Sequence, residues 1–151
     1  MTTPSPALKL LVVEDDPAVM RAAVRYLEHR GHSVIAARNA TTARGLDGAF
    51  DCLVLDIDLP DGSGLELAVE LLRRSLSDVV VFFSGTTDVE TRLSASELGT
   101  FVPKEAGLHA LAGAVETAVR EVRAGRRVAG GEGLVTDRSD PRFESGWRKT
   151  R

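Results

Sequence analysis

Short apolar runs alternate along the chain with stretches in which apolar positions recur every three to four residues. "KLLVV" (9–13) reads as a first strand. Asp16 is placed to cap a helix that Pro17 opens, since proline fits the first helical turn. Val19, Ala22, Ala23, Tyr26 and Leu27 keep helical spacing, and Gly31 ends that helix. "HSVIAA" is a second strand, and Asn39 caps a short helix containing Ala43 and Leu46. "CLVLD" is a third strand, and Leu65, Leu67, Ala68, Leu71 and Leu72 mark the helix after it. "VVVFFS" is a fourth strand whose unbroken apolar character predicts burial on both faces. A weaker helix follows over 88–98, then a short fifth strand, "TFV". Leu108, Leu111, Ala112, Val115, Ala118, Val119 and Val122 make a long amphipathic helix.

Strict alternation of strand and helix predicts an open α/β sheet with right-handed crossovers. Ligands of such sheets bind beyond the carboxyl ends of the strands, so the strand exits are read together. The first exits into Glu14, Asp15 and Asp16, and the third into Asp56, with Asp58 two residues on. The fourth exits into Ser84 and Gly85, and the fifth into Pro103 and Lys104. Carboxylates, a hydroxyl and an ammonium therefore meet at one edge. In "PDGSG" the glycines Gly62 and Gly64 supply positive φ or close approach.

The length of 151 residues favours one domain, and 43% hydrophobic with 27% charged residues places the chain among soluble globular proteins. No apolar run approaches the ~20 residues that span a bilayer, and "MTTPSPALK" does not resemble a signal peptide. Cys52 stands alone and reads as a small core hydrophobe, so the expected location is the reducing cytoplasm. Charge is uneven. Residues 1–124 carry a net −6 and residues 125–151 a net +3. An acidic body argues against nucleic-acid binding by this chain. The basic segment 125–151 lacks apolar periodicity and reads as a flexible or weakly docked tail without an output domain.

Clustered carboxylates repel one another, and burial worsens the repulsion. Oxygen-only ligands with positions left for water and phosphate suit Mg²⁺. A lysine adds a second positive centre and a hydroxyl can bond a phosphoryl oxygen. The set fits phosphoryl transfer to a carboxylate. "LLVVEDDPAVMR", "LVLDIDLPDGSGLEL", "VVVFFSG" and "TFVPK" together resemble the receiver domain of two-component response regulators, over about residues 8–124. The resemblance implies a doubly wound, flavodoxin-like (βα)5 fold with a parallel sheet of strand order 2-1-3-4-5. It implies Asp56 as phosphoacceptor, Asp15 as direct Mg²⁺ ligand and Glu14 acting through water. It further implies that Asp58 gives the metal its backbone carbonyl, that Ser84 is the switch hydroxyl, that Lys104 binds the phosphoryl group, and that Phe101 is the aromatic whose rotamer reports activation. The implied partners are a sensor histidine kinase or histidine phosphotransfer protein and a downstream protein, with the chain a monomer or a weak dimer through its last helices.

Taken singly, each residue has a plainer reading: acids as solvated strand caps, Ser84 as a turn hydroxyl, Lys104 as a surface lysine, Phe101 as a core aromatic. The combination favours the site. His29, His32 and His109 read as structural or solvent-facing, and Arg73 and Arg74 as a solvated helix face. Two departures stand out. Many receivers place proline after the lysine, often through a cis bond, whereas Glu105 follows Lys104 here. A cis Lys104–Glu105 bond would cost ~3–4 kcal/mol, so the loop is expected to be built differently. Phe101 also lacks the hydroxyl of the more usual tyrosine. Three alternatives stand beside this reading. A phosphate-independent binding module of receiver fold would lack an acid, the hydroxyl or the lysine, and none is missing. The chain could be the receiver part of a longer regulator with a DNA-binding or enzymatic output domain. A haloacid-dehalogenase phosphatase wants its DxD after the first strand, whereas "DID" follows the third.

Overall fold

Five of the apolar runs lie side by side with every pairing parallel, in the computed structural model that describes residues 6–125. The elements in chain order are β1 (Lys9–Val13), α1 (Pro17–His29), β2 (Ser33–Ala37), α2 (Ala40–Arg44), β3 (Cys52–Leu55), β4 (Asp58–Leu59) and β5 (Gly62–Ser63). There follow α3 (Gly64–Arg73), β6 (Val80–Ser84), α4 (Val89–Leu98), β7 (Thr100–Pro103), a 3-10 turn (Lys104–Ala106) and α5 (Gly107–Arg123). The main sheet runs β2-β1-β3-β6-β7. This is the order expected from the sequence, because β6 and β7 are the fourth and fifth strands of that reading. The fold is flavodoxin-like α/β. The tail reading for 126–151 lies outside the described residues. Among the described residues, no helix is long and apolar enough to cross a membrane.

The helices start where side-chain caps satisfy their first N–H groups. Asp16 accepts from Ala18 and Val19 at 2.9 and 3.2 Å, Asn39 from Thr42 at 2.7 Å, and Asp88 from Thr91 at 2.9 Å. α1 ends at Gly31, whose φ of 98° belongs to glycine. Every residue of β3 and β6 is buried, as a sheet covered on both faces requires.

Alternation along the strands divides the interior in two. Leu11, Val13, Leu53, Leu55, Val80 and Phe82 face α2, α3 and α4, where they meet Ala40, Ala43, Leu67, Leu71 and Ala95. Leu10, Val12, Cys52, Val54, Val81 and Phe83 face α1 and α5, where they meet Ala23, Leu27, Leu111, Val115 and Val119. Cys52 is thus a core side chain, and burial raises the pKa of its thiol.

Three details depart from the sequence reading and a fourth sharpens it. α2 stops at Arg44, so Leu46 lies beyond its Gly45 C-cap, though it still packs on the core. The "DLPDGS" segment forms a two-stranded antiparallel hairpin, β4–β5, rather than a bare turn. Arg74 does not merely face solvent, for it donates to the carbonyls of Arg44 and Leu46 at 2.7 and 2.9 Å and so closes the end of α2. His32 is structural in a specific way. Its Nδ1 accepts the Leu8 N–H at 3.1 Å, so Nε2 carries the proton and donates to Glu116 at 2.8 Å. Arg30 holds the same carboxylate with two of its nitrogens.

Candidate functional site

The carboxyl edge of the sheet gathers side chains from β1, β3, β6 and β7. The ladder continues past β1 and β3: Glu14 N–H donates to Ala37 O at 3.0 Å and Asp56 N–H to Val13 O at 2.9 Å. Backbone held in this way aims both carboxyls at the same space. Glu14 and Asp56 are buried, with 3% and 5% of their surfaces exposed, while Asp15 is exposed. Carboxylate oxygens of all three lie within 4.8 Å of one another.

Lys104, opening its 3-10 turn after β7, supplies the counter-charge. Its ammonium donates to Glu14 Oε1 at 2.7 Å and to Asp56 Oδ2 at 2.9 Å. The turn is built without a cis bond, as there is none among the described residues. One ammonium does not serve three acids. Burial raises the Glu14 pKa to about 7 and the Asp56 charge adds to the rise, against the opposing bonds from Lys104 and the Asp16 N–H. Burial alone would lower the Lys104 pKa, but its bonds to Glu14 and Asp56 outweigh that and raise it. Three oxygen-donor acids with an incompletely neutralised charge fit a hard divalent cation such as Mg²⁺.

The loop after Asp56 is fastened at both ends. Gly64 N–H donates to Ile57 O at 2.7 Å. A Cβ on Gly64 would lie 2.0 Å from Asp56 O, so only glycine lets α3 start against the end of β3. Gly62, with φ of 156°, closes the hairpin. Asp61 reaches the start of α2, where it accepts from Ala40 N–H and Thr41 N–H, each at 2.8 Å, and from the Thr41 hydroxyl at 2.6 Å. Led by the Thr41 hydroxyl, these bonds lower its pKa to about 2. Sequence reasoning passed over Asp61. Its signal was the acid in "LPDGS", but the partner lies 20 residues away.

Of the residues singled out from sequence, Glu14, Asp15, Asp56 and Lys104 meet. Asp58 is exposed and outside the acidic cluster, with its N–H 3.4 Å from Asp56 Oδ1. Ser84 is fully buried at the end of β6, where its hydroxyl accepts the Thr86 N–H at 3.3 Å. Phe101 is half-buried in β7, packed on the α2–α4 side of the core.

The family model described as "Response regulator receiver domain" matches residues 10–116. The chain belongs to that family. The receiver is 33% identical over 117 residues to the transcriptional regulatory protein KdpE of Mycobacterium tuberculosis, covering 74% of this chain and 50% of the relative. It is 35% identical over 105 residues to DpiA of Escherichia coli, covering 67% of this chain and 45% of that one. Across such curated relatives the receiver spans about half of their length or less. Among solved structures, the non-phosphorylated HemR receiver domain of Leptospira biflexa is 30% identical with a TM-score of 0.67, covering 74% of this chain and 93% of that one. A CheY-like receiver from Methanospirillum hungatei superposes with a TM-score of 0.71 at 22% identity, covering 80% and 99%.

Proposed function

We propose that this receiver takes a phosphoryl group onto Asp56 from a histidine kinase or histidine phosphotransfer protein and signals to a protein partner through a packing switch. The observation that carries the reading is the convergence of the Glu14, Asp15 and Asp56 carboxylates within 4.8 Å, with the Lys104 ammonium bonded to two of them. Asp15 and Asp56 would hold Mg²⁺ directly, Glu14 through water, and Asp58 by its backbone carbonyl. When bound, the ion supplies positive charge opposite the oxygens of the transferring group.

The chain's own residues carry the remaining steps. An Asp56 carboxylate oxygen attacks phosphorus, and the phosphorus–nitrogen bond of the donor phosphohistidine breaks with its electron pair going to the ring. Lys104 leaves its bonds to Glu14 and Asp56 and pairs with a phosphoryl oxygen. The Ser84 hydroxyl, one strand away, turns to donate to another. The added charge, about −1.5 to −2 by analogy with other phosphorylated side chains, biases the position of Ser84 and with it Phe101. The face formed by α4, β7 and α5 is the output surface in this reading. A phenyl ring has no hydroxyl to satisfy, so its inward state is easier to populate before phosphorylation than that of a tyrosine, and the switch is leaky in that sense.

Acetyl phosphate with Mg²⁺ tests the proposal. Intact mass should rise by one phosphoryl group in wild type and stay fixed in Asp56→Asn. Label that persists in Asp56→Asn, or never forms in wild type, defeats the assignment.

A further inference from the structure

Arg92, on α4, touches both halves of the switch. Its Nε donates to the Thr86 carbonyl at 2.9 Å. The N–H of the same Thr86 donates to the Ser84 hydroxyl at 3.3 Å. The Arg92 guanidinium also lies over the Phe101 ring, 5.0 Å from its centroid. Ser84, Thr86, Arg92 and Phe101 therefore form one continuous contact path from the end of β6 to β7. The segment between is otherwise held by Asp88, whose N–H donates to the Thr86 hydroxyl at 3.3 Å and whose carboxylate caps α4.

We propose that Arg92 is a positioning residue that latches Ser84 and Phe101 together in the unphosphorylated arrangement. The inference rests on the reading of Asp56 as acceptor and Ser84 as its responding hydroxyl. A planar guanidinium offers its Nε edge to a carbonyl while its face covers an aromatic ring, a geometry that the compact, non-planar ammonium of lysine does not reproduce. When Ser84 turns toward a phosphoryl group on Asp56, Thr86 moves with it. The Thr86 carbonyl then either draws Arg92 away from the ring, uncovering Phe101, or loses its bond to Arg92; in both cases the work of breaking the latch is subtracted from the affinity for the phosphoryl group. A receiver without the latch should respond more readily.

The test uses the whole chain labelled with 4-fluorophenylalanine, whose Phe101 signal is assigned by its loss in Phe101→Leu. Wild type, Arg92→Ala and Arg92→Lys are titrated with beryllofluoride in the presence of Mg²⁺ and followed by fluorine NMR. Both variants should bind the mimic about fivefold tighter or better, the lower end of ordinary coupling. Without the mimic, their Phe101 signal should already lie displaced toward the wild-type bound position. A merely structural arginine would leave the affinity for the mimic unchanged and would not move the Phe101 signal toward the bound position. Wild-type affinity and an unmoved Phe101 signal in both variants would overturn the latch while leaving the acceptor reading intact. Arg92→Lys matching wild type would also overturn it, because charge alone would then suffice. A wild-type protein that binds no beryllofluoride, or binds it equally as Asp56→Asn, would remove the acceptor reading and the latch with it.

Discussion

Gly64 lies so close to Asp56 that any side chain on it would enter the Asp56 carbonyl oxygen, the first Cβ falling 2.0 Å away. The atom struck is backbone, so a rotamer change cannot relieve it. Gly64→Ala should destabilise the fold by about 1–3 kcal/mol, the usual cost of overpacking. Because relief requires the loop after Asp56 to shift, the labelling by acetyl phosphate proposed for Asp56 should also slow. Urea unfolding and the labelling rate check the two effects; a variant with wild-type values in both would show that the contact relaxes freely.

Lys104 neutralises buried acids, so its removal should be felt before any phosphate is present. Lys104→Met should cost the metal-free protein about 2 kcal/mol, less than the ~3–5 kcal/mol of a fully buried pair, since its side chain is 26% exposed. Mg²⁺ should restore part of that loss and should raise the melting temperature of wild type as well. Binding to the native state at a hundredfold excess over Kd contributes about 2.7 kcal/mol. Melting curves that ignore millimolar Mg²⁺ would count against a metal at Glu14, Asp15 and Asp56.

Acid should loosen the attachment of α5. Burial would raise the Glu116 pKa, yet the bonds from Arg30 and His32 prevail and lower it below its ordinary value. A lowered carboxylate stabilises the fold above its unfolded pKa, and that stabilisation disappears as pH falls through the folded pKa. Glu116→Gln should therefore lose about 1–2 kcal/mol at pH 7, in the range for hydrogen bonds to a charged group but reduced by the one-third exposure of Arg30. It should differ much less from wild type near pH 3. Urea unfolding at both pH values gives the comparison.

Asp61→Ala should release the first N–H groups of α2. Amide hydrogen exchange at Ala40 and Thr41 should accelerate, with little change in the β3 strand amides. The wild-type tether holds its carboxyl at about 2, so protection at these two amides should persist through pH 4 and fade only as pH falls toward that value. Exchange that is unchanged in the variant would mean that Asn39 alone caps the helix.

The strands and the site acids were legible because both follow local rules. Apolar runs of four to six residues mark buried strands, and the strand exits place Glu14, Asp56, Ser84 and Lys104 at one edge without any knowledge of side-chain geometry. Caps such as Asp16 and Asn39 were legible for the same reason, since cap and helix are neighbours in sequence. What escaped depends on partners far along the chain. His32 meets Glu116 across 84 residues and Asp61 meets Ala40 across 21, and no periodicity carries such information. The β4–β5 hairpin has two residues per strand, too few for any alternation to register. Arg92 carried no mark in the sequence because its place over the Phe101 ring exists only once α4 has docked beside β7.

The division of the interior by the sheet has its own consequence. Leu67 and Val115 lie on opposite sides of the backbone wall formed by β1, β3 and β6, and they share no side-chain neighbours within either cluster. Substitutions there should sum, whereas substitutions on one side, such as Leu67 with Leu71, should interact. The protein is in this sense modular without having two domains. Sequence change can accumulate among α1, α5 and the residues they cover while the packing of α2, α3 and α4 stays as it was. Glu14, Asp56 and Ser84 stand at the ends of the strands that divide the two half-interiors, so a chemical event there borders on both.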